Sequence, residues 1–403
     1  MEKKMQICLG FKFAGIHCGL KKAEDALDLA LILSQTPATA AATFTTNRFP
    51  AAPVIYGRRQ LAAGESLRAV LINSGNANAC TGSQGEIDVL SVAEFLGAAL
   101  NIKAAEVFIS STGVIGEPLP VTKILKGIEK LVDGVKIPGD PVITFERAVR
   151  AIMTTDRFPK MVACQLETSQ GRVTINGFAK GAGMIHPNMA TMLAYLLTDA
   201  KIEKNTWQAL LSRVVEHSFN RISVDGDMST NDTVLALANG ASGSFLTTAA
   251  DLELLENALL QMTQELAYMM VKDGEGATKV VKVMVTGAPS PTAAEKICRA
   301  VANSSLVKTA FFGQDANWGR IIAAVGYAGV DLRPELVNID FDQVRVVSGG
   351  VRDRDYREEM GAAVLRLPEF SVKIDLQSGE DEFLLLTSDL THDYISINAD
   401  YRS

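Results

Sequence analysis

The pattern of apolar and polar positions divides the chain into strands and helices. The run RAVLINSG, residues 68–75, indicates a buried strand that ends in a turn. Ser83 and Glu86 follow as an S-x-x-E capping box, which predicts that a helix begins there. Apolar residues continue at helical spacing at Ile87, Leu90, Val92, Leu96 and Leu100. A strand, a turn and an amphipathic helix are therefore predicted over residues 68–100.

Further strands and helices follow towards the C-terminus. A short strand at residues 107–109 precedes SSTGVIGEPLP, which Gly and Pro mark as a loop. Residues 121–153 predict helices broken by the turn IPGDP. Strands are expected at MVACQLE, GRVTINGF, TMLAYLL, TVLALA, TKVVKVMVTG and near residues 336–347, 370–376 and 382–388, and helices at 206–219, 251–272 and 292–304. The predicted fold is α+β, with mixed sheets covered by helices, in roughly two or three packed units.

Composition and charge argue against several classes of protein. Hydrophobic residues make up 47% of the 403 residues and charged residues 21%, a balance typical of soluble globular proteins. The net charge is −7 and no Lys/Arg cluster is present, so nucleic-acid binding is not expected. No apolar run approaches the ~20 residues that span a bilayer, and the N-terminus lacks a signal-peptide pattern. We therefore expect no membrane partner.

Cysteine, histidine and acidic residues do not form a metal site by spacing. The five cysteines are scattered without a C-x-x-C pair, which argues against disulfides and zinc and for a reducing cytoplasm. The four histidines are too dispersed for a metal triad. One acidic run has calcium-like spacing but lacks the loop glycine and terminal glutamate, so a hydrogen-bonded turn is favoured. That run contains Asp225, Asp227, Ser229, Asn231 and Asp232.

The segment KGAGMIHPNMATMLAYLLTDA, residues 180–200, has the most unusual combination of residues. Lys180 and a flexible Gly-Ala-Gly precede a His-Pro-Asn turn, and Thr191 lies at the entrance to an apolar run. Taken singly, these features favour a solvated lysine, a turn and a β-branched strand residue, because such short patterns have low specificity.

Taken together, the segment resembles the autocleavage site of the ornithine acetyltransferases. Further blocks resemble this family in the same order along the chain. They are LINSGNANACTG, SSTGVIGEPLP, IMTTDRFPK, SFNRISVDGDMSTNDT, KDGEGATK, GQDANWGRI and the terminal YISINADYRS. The resemblance covers essentially the whole chain. It implies the self-processed architecture of N-terminal-nucleophile proteins.

The resemblance implies that a precursor cuts itself at the Ala190–Thr191 bond. The products would be an α chain of residues 1–190 and a β chain of residues 191–403, which should stay associated because strands from both would share one core. The hydroxyl of Thr191 would be the nucleophile, and its new α-amino group, of pKa about 7.7–8.0, the base. The family forms a heterotetramer of two α and two β chains.

The resemblance also assigns the remaining site residues. The Thr112 hydroxyl and the Gly113 N–H would form the oxyanion hole, although SSTG alone would indicate only a strand-to-loop turn. Lys180 would pair with a substrate carboxylate and Glu275 with the ornithine ammonium. Substrate contacts are further implied for Thr154, Asn398 and Ser403.

Two positions depart from the family pattern. Arg157 stands where a small residue is expected and adds a cation near the presumed pocket, and Ser403 stands where threonine is common.

The implied reaction moves an acetyl group from N2-acetyl-L-ornithine to L-glutamate through acetyl-Thr191. No cofactor and no metal are implied, but some relatives also use acetyl-CoA as a co-substrate. Two alternatives remain: a self-processing aminopeptidase or amidohydrolase of the same superfamily, and a non-catalytic amino-acid-binding protein.

Overall fold

The computed structural model describes residues 5–186 and 192–400, and these residues divide into two compact units. The described part of the first unit is 5–181, 192–220 and 228–270, and that of the second is 182–186, 221–227 and 271–400. Each unit therefore contains chain from both sides of the segment 187–191. No helix in the described part of the chain is both long and apolar enough to cross a membrane.

Strands and helices are distributed along the whole described chain. The strands are β1 (Phe11–Ile16), β2 (Leu29–Phe44), β3 (Leu67–Asn76), β4 (Val107–Val114), β5 (Lys160–Thr168), β6 (Gly171–Lys180), β7 (Leu193–Thr198), β8 (Ile222–Ser223), β9 (Thr233–Ala238), β10 (Val280–Ala288), β11 (Asn338–Phe341), β12 (Val344–Ser348), β13 (Val351–Arg352), β14 (Glu369–Asp375) and β15 (Asp381–Ser388). The helices are α1 (Ala52–Ala63), α2 (Gly82–Leu100), α3 (Val121–Gly134), α4 (Pro141–Ile152), α5 (Lys204–Glu216), α6 (Ala249–Lys272), α7 (Pro291–Ala302), α8 (Ser305–Phe312), α9 (Trp318–Gly326), α10 (Glu358–Leu365) and α11 (His392–Ala399).

The first unit is built on a mixed sheet that has eight strands among the described residues. The order is β4-β3-β2-β9-β7-β6-β5, with β1 paired to β2. The long strand β2 changes partner midway, from β3 in its first half to β9 in its second. β6 and β7 pair antiparallel, with Lys180 opposite Leu193. Strands from both sides of residue 190 therefore share one sheet, as expected from the sequence.

Helices cover both faces of this sheet around β2. Ala30 and Ile32 pack in the cluster that contains Phe145 and Val149 of α4. Leu31 points the opposite way, into the cluster that contains α2 and α3. Strands buried on both faces are apolar at successive positions, since neither face meets water. The core of the first unit thus has a layer on each side of the sheet.

The second unit has its own mixed sheet, of seven strands among the described residues, in the order β13-β12-β11-β14-β10-β15-β8. β10 is parallel to β14 and antiparallel to β15. Val281, Val283 and Val285 of β10 share a cluster with Ile297 and Val301 of α7. Two mixed sheets with packed helices confirm the α+β prediction.

Helix α2 begins where expected, but the prediction that Ser83 and Glu86 form its capping box is wrong. The N-cap is Thr81, which makes no side-chain cap bond because its hydroxyl donates to Asn78 Oδ1 at 2.7 Å. The predicted apolar face is confirmed at Val92 and Leu96 but wrong at its N-terminal positions. Ile87 and Leu90 are 53% and 49% exposed, whereas Val89, Val92, Ala93 and Leu96 are buried.

Two segments are more extended than the sequence pattern predicted. β4 continues to Val114, through residues expected in a loop, because it pairs in parallel with β3 as far as its last residue. The small-residue stretch TPATAAATF gave no strand prediction, yet it forms the second half of β2. The strand predicted at 336–347 is a hairpin of β11 and β12. In β4 and β2 pairing with a distant strand outweighs local propensity, whereas the hairpin contains a short turn that the sequence pattern missed.

Candidate active site

Three of the predicted site residues meet in the first unit. Lys180, the last residue of β6, is 3% exposed, and its Nζ donates to Thr154 Oγ1 at 2.7 Å and to Thr112 Oγ1 at 3.3 Å. Thr112 is 5% exposed, near the end of β4. A hydroxyl oxygen that accepts from an ammonium keeps its own hydrogen for another acceptor. Lys180 therefore leaves the Thr112 hydroxyl able to donate to a reacting oxygen.

Gly113, next along β4, occupies a position that requires glycine. Its φ is +133°, and a Cβ there would lie 2.3 Å from the carbonyl carbon of Gly75 and 2.5 Å from the nitrogen of Asn76. Both neighbours are backbone atoms of β3, which pairs with β4 at this point. The strand end predicted to carry the oxyanion hole is therefore packed directly against a second backbone.

Two asparagines that the sequence analysis did not assign brace this strand end. Ser111 Oγ donates to Asn73 Oδ1 at 2.6 Å. Asn231 Nδ2 donates to the carbonyl oxygens of Ser111 and Ala77 at 2.8 and 2.7 Å. All are buried, so these bonds exchange little with water. Asn231 belongs to the acidic run and its motif, but its spacing alone did not indicate this role.

Asp156 accepts hydrogen bonds from the backbone next to Lys180 and from a second lysine. Its Oδ1 accepts from Lys160 Nζ and from Gly181 N, both at 2.7 Å, and its Oδ2 accepts from Thr154 N at 2.9 Å. Burial by itself would raise the pKa of Asp156, but Lys180, Lys160 and the Gly181 N–H together lower it to about 2. Asp156 is thus a carboxylate that fixes both ends of the Lys180–Thr154 contact.

A further amine, that of the half-buried Lys21, contacts the backbone next to Thr154. Its Nζ donates to the carbonyl oxygens of Leu27 and Met153, both at 2.7 Å. Burial, with a smaller contribution from the charge of Lys180, lowers the pKa of Lys21 to about 8. No sequence pattern singled out Lys21, whereas Asp156 and Lys160 lie in the block IMTTDRFPK. A site with two buried lysines and one half-buried lysine suits an anionic ligand.

Two more predicted residues meet in the second unit. Asn398, on α11, donates from Nδ2 to Glu275 Oε2 at 2.9 Å, and Glu275 is 9% exposed. The N–H of Glu275 donates to the Ala182 carbonyl oxygen at 2.8 Å. A Cβ on Gly183 would lie 2.4 Å from the Glu275 carboxylate. The glycine predicted as flexible instead permits close packing against this carboxylate.

Asp225 connects the chain before residue 187 with the C-terminal helix of the same unit. It accepts from the N–H groups of Met184 at 2.6 Å and Ile185 at 2.8 Å, and from the Tyr394 hydroxyl at 3.3 Å. A further bond from Asp227 N at 3.2 Å confirms the hydrogen-bonded turn expected for this part of the acidic run. Burial raises the pKa of Asp225 to about 6 despite these donors.

Three predicted residues, Ala190, Thr191 and Ser403, lie outside the described residues, and their roles stay predictions. Arg157 is exposed, whereas the neighbouring Asp156 side chain is fully buried. The cation that the sequence placed near the presumed pocket therefore points to the surface.

Comparison with known proteins gives a consistent assignment. The model of the ArgJ family matches residues 12–403. The arginine biosynthesis bifunctional protein ArgJ of Geobacter sulfurreducens is 48% identical over 396 residues, which are 98% of this chain and 99% of that protein. The protein of the same name from Nitratidesulfovibrio vulgaris is 48% identical over 395 residues, 98% of each.

Solved structures with shorter chains are also similar. The ornithine acetyltransferase of Mycobacterium tuberculosis complexed with ornithine is 44% identical, covers 45% of this chain and 92% of its own, and has a TM-score of 0.41. An ArgJ protein from Bacillus halodurans is 37% identical, covers 50% of this chain and 95% of its own, and has a TM-score of 0.48. The family match spans nearly the full length and confirms the resemblance found in the sequence. This chain belongs to the ArgJ family.

Proposed function

We propose that this protein transfers the acetyl group of N2-acetyl-L-ornithine to L-glutamate and releases L-ornithine and N-acetyl-L-glutamate. Membership of the ArgJ family supports a role in arginine biosynthesis. The structural observation that carries the proposal is the buried ammonium of Lys180, in contact with the hydroxyls of Thr112 and Thr154. This cation, two hydroxyls and a glycine strand end suit acyl transfer on an amino acid.

The nucleophile in this proposal is Thr191, which is created by self-cleavage. Its hydroxyl attacks the carbonyl carbon of Ala190, the peptide nitrogen leaves, and water hydrolyses the resulting ester. The products are chains of residues 1–190 and 191–403. The pairing of β6 with β7 supports continued association, because it joins strands from both products in one sheet.

Acetyl transfer then proceeds in two half-reactions. The α-amino group of Thr191 accepts the hydroxyl proton, the oxygen attacks the acetyl carbonyl, and ornithine leaves with a proton on its nitrogen. In the second half-reaction the amino nitrogen of glutamate attacks the acetyl ester, the Thr191 oxygen leaves and takes up the proton lost from that nitrogen, and N-acetyl-L-glutamate is released. The Thr112 hydroxyl and the Gly113 N–H stabilise the oxyanion, where the loss of one donor typically costs ~2.7–4 kcal/mol of barrier.

Substrate recognition in this proposal uses complementary charges. Lys180 pairs with the substrate carboxylate, with Lys21 and Thr154 beside it. The carboxylate of Glu275, oriented by Asn398, binds the ornithine side-chain ammonium. Ser403 is included as a substrate contact on the family pattern.

The proposal extends to the assembly and its surroundings. We expect a heterotetramer of two α and two β chains, no cofactor, and acetyl-CoA as a further acetyl donor for glutamate. A cytoplasmic location is compatible with the five free thiols.

The test combines mass analysis with turnover. Wild type and Thr191→Ser, which keeps a hydroxyl, should give two polypeptides, and Thr191→Ala should remain one. With acetylornithine, wild type should form acetyl-Thr191 and release ornithine continuously only when glutamate is added. Release of free acetate without glutamate would favour the hydrolase, and an uncleaved wild-type chain without turnover would favour the binding protein.

A further inference from the structure

Asp232 is a buried carboxyl group fixed beside the residue that follows Thr191. It immediately precedes β9 and is 0% exposed. Its Oδ1 accepts from the backbone N–H of Met192 at 3.0 Å. The Met192 carbonyl oxygen accepts in turn from Thr233 N at 3.0 Å. Backbone on both sides of the carboxyl group therefore holds it in place.

The second oxygen of Asp232 receives no hydrogen bond from any described residue, although it is buried. The neighbouring hydroxyl of Thr45 donates instead to the Ser229 carbonyl oxygen at 2.7 Å. An unpartnered buried carboxylate oxygen is costly, so this oxygen needs a proton or a donor. Burial raises the pKa of Asp232 well above its usual range, and the Met192 N–H and the charge of Lys180 offset only part of this effect.

The nitrogen that donates to Asp232 belongs to the peptide bond between residues 191 and 192. The polar groups of residue 191 are therefore the nearest to it along the chain on that side. We propose that Asp232 gives a proton to the nitrogen of Thr191 when the chain cleaves itself, and then positions the amino group that results. This inference rests on the proposed function, because it takes Thr191 as the self-cleaving nucleophile.

The proton balance of this step closes without a further reactant. The Thr191 oxygen forms a bond to the Ala190 carbonyl carbon, and the bond from that carbon to the Thr191 nitrogen breaks. The electron pair stays on the nitrogen, which takes the proton of the Asp232 carboxyl group. The hydroxyl proton returns to the Asp232 carboxylate. In acetyl transfer the restored Asp232 carboxyl group would accept a hydrogen bond from the α-amino group of Thr191 and so position it.

Few charged groups act on Asp232. The strands that flank β9 are β2 and β7, and the residues beside Asp232 at their ends are Thr45 and Met192, neither of which titrates. Lys180 is the charged group that acts on Asp232 within the described residues. A pH dependence that disappears on replacement of Asp232 can therefore be assigned to this carboxyl group.

The experiment measures self-cleavage of Asp232→Asn. The asparagine oxygen still accepts from Met192 N, but the side chain has no acidic proton. The matched control is Asp199→Asn, a second carboxylate at 1% exposure, whose two oxygens accept from Thr174 N and Leu9 N. Full-length chains are synthesised in a cell-free system at fixed pH, quenched at intervals and analysed by intact mass, with melting temperatures of both variants measured beside them.

Asp232→Asn should cleave ~10²-fold more slowly or worse, the usual contribution of a positioned acid, whereas Asp199→Asn should cleave like wild type. The wild-type rate should fall at high pH, where Asp232 loses its proton, and this fall should be absent in Asp232→Asn. A folded Asp232→Asn that cleaves at the wild-type rate would overturn the inference. If the variant does not fold, a wild-type rate that rises to the highest pH tolerated would overturn it. Cleavage of Thr191→Ala would instead reject the proposed function itself.

Discussion

Replacement of Gly113 by alanine tests whether the end of β4 must be glycine for the chemistry. The added methyl would meet the Gly75 carbonyl carbon at 2.3 Å, its Cα at 2.7 Å and the Asn76 nitrogen at 2.5 Å. These are backbone atoms of a paired strand, so they cannot move away as a flexible side chain would. The φ of +133° is also one that a residue with a Cβ rarely adopts. We expect β4 to separate locally from β3.

Gly116→Ala is a control that separates the cost of backbone strain from the cost of steric overlap. Gly116 has φ +85°, but a Cβ there would have nothing within 4 Å. Gly116→Ala should therefore cost only the backbone strain, ~1–3 kcal/mol. Gly113→Ala adds the overlap, for which overpacking typically costs a further ~1–3 kcal/mol. Displacement of the oxyanion N–H should also lower kcat by ~10²–10³-fold, an effect that Gly116→Ala should not have.

The assay measures calorimetric melting temperature, extent of self-cleavage and the steady-state rate of glutamate-dependent ornithine release for both variants. Gly113→Ala should melt below Gly116→Ala and turn over far more slowly. Equal melting temperatures together with equal turnover would refute both the packing argument and the assignment of the oxyanion hole to this strand end.

Two further predictions concern buried charges. Lys160→Met removes one partner of the fully buried ion pair with Asp156, which should cost ~3–5 kcal/mol and lower the melting temperature measured by calorimetry. Asp225 has a pKa of about 6 in the folded protein against about 3.9 unfolded, so the folded state binds its proton more tightly. Wild type should therefore lose up to ~3 kcal/mol of stability as pH rises from 4 to 6, and Asp225→Asn should lack this slope.

Each of these predictions has a matched control. Arg213→Met breaks an exposed ion pair with Glu256 and should cost ~1 kcal/mol or less. A loss as large as that of Lys160→Met would contradict the role of burial. Asp393→Asn, at an exposed position on the same helix as Tyr394, should keep the wild-type pH slope. A wild-type slope between pH 4 and 6 in Asp225→Asn would show that another group causes the loss of stability.

Local sequence determined most of the regular structure. The strand predicted at TVLALA is β9, residue for residue, and the helices broken by IPGDP are α3 and α4. In these segments hydrophobic period, capping residues and proline all favour the same structure, and they act over only a few residues. The extension of β4 to Val114 and the formation of a strand by TPATAAATF depend on partners elsewhere in the chain, which local propensity does not contain.

The candidate site shows the same division. Sequence alone predicted site roles for Lys180, Thr112, Thr154, Glu275 and Asn398, because they lie in blocks that resemble a family. Only the tertiary structure decided that Lys180 bonds to both threonines and that Asn398 bonds to Glu275, contacts between residues 26 to 123 positions apart.

The supporting residues were decided by the tertiary structure as well. Asp156 and Asp232 lie in blocks that resemble the family, but no pattern indicated their roles or singled out Lys21, since any aspartate or lysine in a sequence is most often solvated. Their roles arise from burial, which removes water and leaves each charge to the few groups around it. Sequence determines which side chains are available, and the sheets that bring distant segments together determine which of them are deprived of water.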